Sequence, residues 1–166
     1  LAPSLPLDSL AGTELLHMLN HNADQPAGQM QLGAFALTRG QTTNALQHFQ
    51  TAARWDPFSP GIHHEAAIVL SQLGRPRDAV SELQEAVRLA PRDAEFRFKL
   101  ALAWNELGDT AKVLAELETA VKLDPRHARA AYNLGLARNA AGNPSGAIQA
   151  LFAAESAAPE DAAIPY

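Results

Sequence analysis

Cysteine is absent from the 166 residues. That excludes disulfides, thiolate catalysis, haem attached through cysteine and cysteine-ligated zinc within this chain. It does not assign a compartment, because secreted and cytosolic proteins can both lack cysteine. Aromatic residues are sparse, at 6 %. No apolar run approaches the ~20 residues needed to span a bilayer, and no signal peptide is visible. Membrane insertion is therefore not expected, and the localisation stays open. Charged residues make up 19 % of the chain and the net charge is −5, with acids and bases interspersed. No basic stripe is present to neutralise phosphates, which argues against nucleic acid as a partner. The chain starts at Leu1 rather than Met, so a processed or excised piece of a longer protein is expected.

What the sequence does have is alanine and a period. Pro57, Pro91, Pro125 and Pro159 stand 34 residues apart. Gly40, Gly74, Gly108 and Gly142 keep the same step, as do Ala52, Ala86, Ala120 and Ala154. A period of this size marks a repeat array. With each proline near the end of its unit, the units are 26–59, 60–93, 94–127 and 128–161. Each unit holds two bursts of apolar residues at helical spacing, separated by the glycine. In the third unit Leu100, Trp104 and Leu107 form the first burst, and Val113, Leu114, Leu117, Ala120 and Val121 the second. Spacings of three and four put such residues on one helical stripe.

The punctuation agrees. The glycines stand where a helix C-terminus needs the left-handed conformation. Pro76 and Pro144 follow at first-turn positions, where the missing N–H costs nothing. Asn143 and Ser59 precede prolines as N-caps. The prolines near the unit ends stop the second helices. Each unit thus reads as a helix hairpin. First helices are predicted near 27–39, 61–73, 95–107 and 129–141, second helices near 43–55, 77–89, 111–123 and 145–157.

These units resemble the tetratricopeptide repeat, whose pattern has W, LG, Y, A, F, A and P at positions 4, 7–8, 11, 20, 24, 27 and 32. The first unit offers Leu32-Gly33, Ala45, Phe49, Ala52 and Pro57. The fourth offers Tyr132-Asn133-Leu134-Gly135, Ala147, Leu151, Ala154 and Pro159. The third has Leu100-Ala101, Trp104, Leu117, Ala120 and Pro125. The second has Ala66-Ala67, Leu70, Ala79, Leu83, Ala86 and Pro91. Position 4 departs throughout, with Gln29, His63, Arg97 and Ala131. The resemblance implies an all-α fold, a right-handed α-solenoid of helix hairpins with four repeats and an N-terminal helix.

Residues 1–25 lie outside the four units. Pro3 and Pro6 make an extended or mobile first stretch expected, while Leu10, Leu15, Leu16 and Leu19 suit a capping half-repeat helix over 9–20, as terminal repeats are often atypical. Residues 162–166 read as the start of a continuation. Ala147, Leu151 and Ala154 would then show part of an apolar face to solvent, a surface open to another chain.

Chemistry is thin. His63 and His64 are adjacent, so they point ~100° apart on a helix and do not aim at one ion. His17 and His21 are four apart, but solvated side chains are expected there. No phosphate-binding G-x-x-x-x-G-K-[ST] or nucleophile elbow G-x-S-x-G is present. Gly135 sits mid-helix, where close helix packing explains it. No catalytic residue, metal site or cofactor is expected.

In the resembled family, first helices line a concave groove through positions 2, 5, 9 and 12. Here position 5 is Met30, His64, Phe98 and Tyr132, and position 9 is Ala34, Ile68, Leu102 and Leu136. Position 12 is Leu37, Ser71, Asn105 and Asn139, and position 2 is Ala27, Gly61, Glu95 and Arg129. Met, Phe and Tyr offer contact area, and the two Asn suit a peptide backbone. The expected site is a groove of Met30, His64, Phe98, Tyr132, Ile68, Leu102, Leu136, Asn105 and Asn139 for a peptide or helix of a protein partner. Phe98, Tyr132 and Leu102 are the expected anchors, with Ala34, Ile68 and Leu102 nearer the core. The same residues would equally serve to pack neighbouring first helices or be covered by another part of the chain. Members that grip chaperone C-termini use Lys, Asn and Arg at positions 5 and 9. This chain has none there, so affinity for such acidic tails is not expected.

The reading is thus a non-catalytic interaction scaffold. Two alternatives stand beside it. One is an accessory domain of a larger protein, since Asn22 to Pro26 before the repeats is similar to repeat tails of bacterial multihaem cytochrome-like proteins. The other is a homo-oligomer formed through the C-terminal end.

Overall fold

The computed structural model describes His17, His21 and residues 24–157; the expected capping helix otherwise lies outside them. Among residues 24–157 the elements are helices only: α1 Pro26–Thr38, α2 Thr42–Trp55, α3 Pro60–Gln72, α4 Pro76–Leu89, α5 Ala94–Glu106, α6 Thr110–Leu123, α7 Ala128–Ala140 and α8 Pro144–Ala157. Each hairpin is a first helix of 13 residues packed on a second of 14. The chain is an all-α repeat solenoid. It falls into two compact units, one ending at Leu89 and the other starting at Ala90. In the first, α2 packs on α3; in the second, α6 packs on α7.

Every predicted boundary of the eight hairpin helices is met within one residue. The period works because each first helix ends in the same way. Gly40, Gly74, Gly108 and Gly142 have φ of 69°, 69°, 74° and 78°, a region where a Cβ is strained. At the first of them Gln41 N donates to Ala36 O and Gly40 N to Leu37 O, both at 2.9 Å. The same pair of bonds recurs at the other three. This is the Schellman arrangement, which satisfies carbonyls that the helix end leaves open.

Helix starts vary more. Asp93 caps α5 by accepting from Glu95 N and Phe96 N, and Asp109 caps α6 through Lys112 N. Asn143 accepts from Gly146 N at 2.9 Å, as expected. Ser59 holds the N-cap position but its hydroxyl makes no cap bond; the Ile62 N–H reaches its carbonyl instead, at 3.2 Å. Asp56 and Asp124 precede Pro57 and Pro125 with φ near −130°, out of the helical region as a following proline demands.

Small residues set the helix spacing. Ala52, Ala86 and Ala120 are fully buried and Ala154 nearly so. A Cβ on Gly33 would run into the Phe49 ring, and one on Gly135 would lie 2.7 Å from Leu151 Cγ. These glycines let the two helices of a hairpin touch. In the second unit Phe98, Ala101, Val113, Leu117, Ala120, Ala130, Leu134 and Ala150 form one core, with Leu102, Trp104 and Ala137 against it.

Position 4 has a partner. It meets position 23 across each of the first three hairpins: Gln29 with His48 at 2.8 Å, His63 with Glu82 at 2.7 Å and Arg97 with Glu116 at 2.9 Å. In the fourth hairpin the two positions are Ala131 and Ala150, both buried. In the first three hairpins the residue in place of tryptophan is therefore half of a polar clasp between the two helices.

Candidate functional groove

The predicted stripe divides between the two units. In the first, Met30, His64 and Ile68 are half-buried and Ala34 is exposed. Met30 borders a cleft of ≈ 350 Å³ with Pro26, Asp56, Ser59 and Ile62. His64 Nδ1 stands 3.6 Å from Glu65 Oε1.

The second unit holds the better-formed groove. A cleft of ≈ 230 Å³ lies between α5 and α7, floored by Val113 and Leu117 of α6. Its walls are Ala101, Leu102 and Asn105 on one side and Asn133, Leu136, Ala137 and Ala140 on the other. Leu102 is half-buried, while Leu136 is 49 % exposed, a large apolar side chain left to solvent. Asn105 and Asn139 are exposed, and Tyr132 is half-buried. Asn133 is a wall residue that the stripe did not include; its Nδ2 donates to Arg129 O at 2.8 Å. It lies one residue past Tyr132, and a four-residue step reaches Ala137 along the same wall, so helical spacing was the available signal.

Phe98 corrects the expectation. It is 1 % exposed and offers no contact surface. Its ring packs at 5.0 Å from His127, and the Arg129 guanidinium carbon sits 4.9 Å above it. The start of the next hairpin covers position 5 here. The expected order, with position 9 nearer the core than position 5, is reversed at Ala34 and Phe98.

His127 ties this end of the groove together. Its Nδ1 accepts from Ala130 N at 3.1 Å, capping α7, and its Nε2 lies 2.8 Å from Glu95 Oε2. With Nδ1 an acceptor, the Nε2–H is the donor to Glu95. Lys99 reaches the other Glu95 oxygen at 3.3 Å. Burial pushes the Glu95 carboxyl up, but these bonds outweigh it and hold the group below its ordinary value.

No three His, Asp or Glu side chains converge on a metal-sized site among the described residues. His17 and His21 are exposed, with ring centroids 6.2 Å apart. Among those residues no helix is long and apolar enough to cross a membrane.

The apolar end expected at Ala147, Leu151 and Ala154 is also redrawn. Ala147 and Ala154 are buried, at 4 % and 1 %, on a helix packed against α7. The exposed face of α8 is Ile148, Leu151 and Phe152, at 56 %, 37 % and 65 %.

A family model for the tetratricopeptide repeat matches residues 64–112 and 114–162, more than half of the chain. No curated protein sequence matches it. Among solved structures, the chain is similar to MamA with a TM-score of 0.80 at 20 % identity, over 88 % of this chain and 85 % of that one. A MamA fragment from Desulfovibrio magneticus gives 0.79 at 21 %, over 91 % and 88 %. YrrB, described as having an unusual peptide-binding site, gives 0.73 at 22 %, over 89 % and 81 %. At these identities the likeness is one of fold.

Proposed function

This chain belongs to the tetratricopeptide repeat family, and from that premise we propose that it is a non-catalytic scaffold whose α5–α7 groove holds a peptide or helix of a protein partner. The observation that carries this is the cleft with Leu136 exposed on its wall beside Leu102, and Asn105 and Asn133 bordering it. Apolar side chains supply area, and the amides suit an extended backbone. YrrB, of similar fold, has a peptide-binding site by its description. Tyr132, Leu102, Leu136, Asn105 and Asn139 are the contact residues proposed in this unit, with Met30, His64 and Ile68 in the first. Phe98 supports the groove from beneath.

The test is peptide display against the wild-type chain, followed by affinity measurement on variants. Leu136→Asp is expected to weaken selected peptides at least about tenfold, with Asn105→Ala giving a smaller loss. Unchanged affinity in both variants would refute the groove.

A second reading rests on α8. In the preceding hairpins position 25 is Gln50, Gln84 and Glu118, all polar or charged at least at the tip, and in the fourth it is Phe152, 65 % exposed. With Ile148 and Leu151 it makes an apolar face suited to self-association.

A further inference from the structure

Resting on the groove reading above, we propose that the occupant of the α5–α7 groove is a peptide segment pairing an apolar anchor with a carboxylate side chain about three residues away, the carboxylate being taken by Arg129. Arg129 is exposed. Among the described residues its guanidinium enters no ion pair or side-chain hydrogen bond; it rests on the Phe98 ring, its carbon 4.9 Å from the centroid. A stacked guanidinium keeps its in-plane N–H donors available, and their fork geometry matches a carboxylate.

Its surroundings leave that capacity unspent. Glu95, the acid on the facing helix, is already engaged by His127 at 2.8 Å and Lys99 at 3.3 Å. Farther along α7, Arg138 is engaged by Glu118 at 2.9 Å and the Gly146 carbonyl at 3.2 Å. Arg129 is thus the cation of the groove without an acidic partner among the described residues.

The placement sets a spacing. Because Arg129 reaches across to Phe98 on α5, it lies on the seam that continues to Leu102 and Leu136. Arg129 and Leu136 are seven residues apart on one helix, about 10 Å at ~1.5 Å per residue. A peptide in the polyproline II conformation covers that in about three residues, at ~3.1 Å each, and its three residues per turn return the third side chain to the same face. An apolar side chain seated between Leu102 and Leu136 therefore brings an acid three positions away beneath Arg129. A polyacidic tail without the apolar residue lacks the anchor.

The probes are synthetic end-blocked peptides in a Gly/Ser background. Each carries one Leu and one Glu separated by one to six residues in either direction, with the Glu→Gln counterpart of each. Binding is read by NMR shift titration to about 1 mM peptide. The tightest binder is expected at a separation of three. Glu→Gln in the peptide and Arg129→Gln in the protein should each weaken it about fivefold, and together little more than either alone. A role for Arg129 confined to shielding Phe98 would lower the melting temperature without that coupling. Affinity indifferent to separation or to Arg129→Gln, but lost in Leu136→Asp, would overturn the carboxylate inference and leave the groove reading standing. Binding unaltered in Leu136→Asp, or no binding by any peptide, would overturn both.

Discussion

His63 shows how one side chain reports on its surroundings. Its Nδ1 faces Glu82 Oε2 at 2.7 Å and its Nε2 faces Pro57 O at 3.0 Å. Both partners are acceptors, so the doubly protonated ring satisfies both. Burial pushes its pKa down, yet the Glu82 and Pro57 contacts outweigh it and raise the value above 6.5. A group with a raised folded pKa adds stability that is fully present below the unfolded value and is lost as pH rises through the folded one. The denaturation midpoint should therefore drop more for wild type than for His63→Asn when pH goes from about 6 to 8; parallel curves would refute the assignment. Gly33 poses a steric question instead. Gly33→Ala gains ~1 kcal/mol of helix propensity but drives a methyl into the buried Phe49 ring. Overpacking of about 1–3 kcal/mol should leave a net loss near 1 kcal/mol by urea denaturation. Gly135→Ala should lose less, because the half-exposed Leu151 side chain has room to turn outward, leaving the methyl against Ala147 O at 3.2 Å.

At the scale of the hairpin, the clasp between positions 4 and 23 is a set of interchangeable solutions. A hydrogen bond, two ion pairs and a pair of buried alanines occupy equivalent places. Arg97 and Glu116 are each 21 % exposed, so removing one leaves the other partly desolvated and unpaired. A double-mutant cycle with Arg97→Ala and Glu116→Ala is expected to give a coupling of about 1 kcal/mol. A coupling indistinguishable from zero would make the contact incidental. The helix positions themselves were legible, because the Gly, Ala and Pro columns encode the left-handed stop, the close approach and the chain reversal locally. The clasp was not. Position 4 showed only a departure from the repeat pattern, since its partner is 19 residues away on another helix.

For the molecule as a whole, the repeat register acts as an internal control. In hairpins 1 and 3, the second helix lies against the first helix that follows, which helps bury Phe49 and Leu117 at position 24. On α8 the matching Leu151 is 37 % exposed and Phe152 adds a further aromatic surface. If α8 mediates self-association, small-angle scattering should show apparent mass rising with concentration for wild type and not for Ile148→Asp/Phe152→Asp. Those side chains are already solvated, so the folded chain should tolerate the change. A wild-type mass independent of concentration would remove this reading.

The sequence by itself determined the period, the hairpins and their ends, because each depends on residues within one or two turns: a glycine at positive φ, a proline after it, an alanine on the inner face. Of the candidate groove it identified the columns but not their exposure. Only the tertiary structure decided that Phe98 lies beneath Arg129 and His127 while Leu136 faces solvent, and that Phe152 rather than Ala154 is exposed on α8. Exposure belongs to whatever element packs above a residue, and helical periodicity assigns a face without saying what covers it.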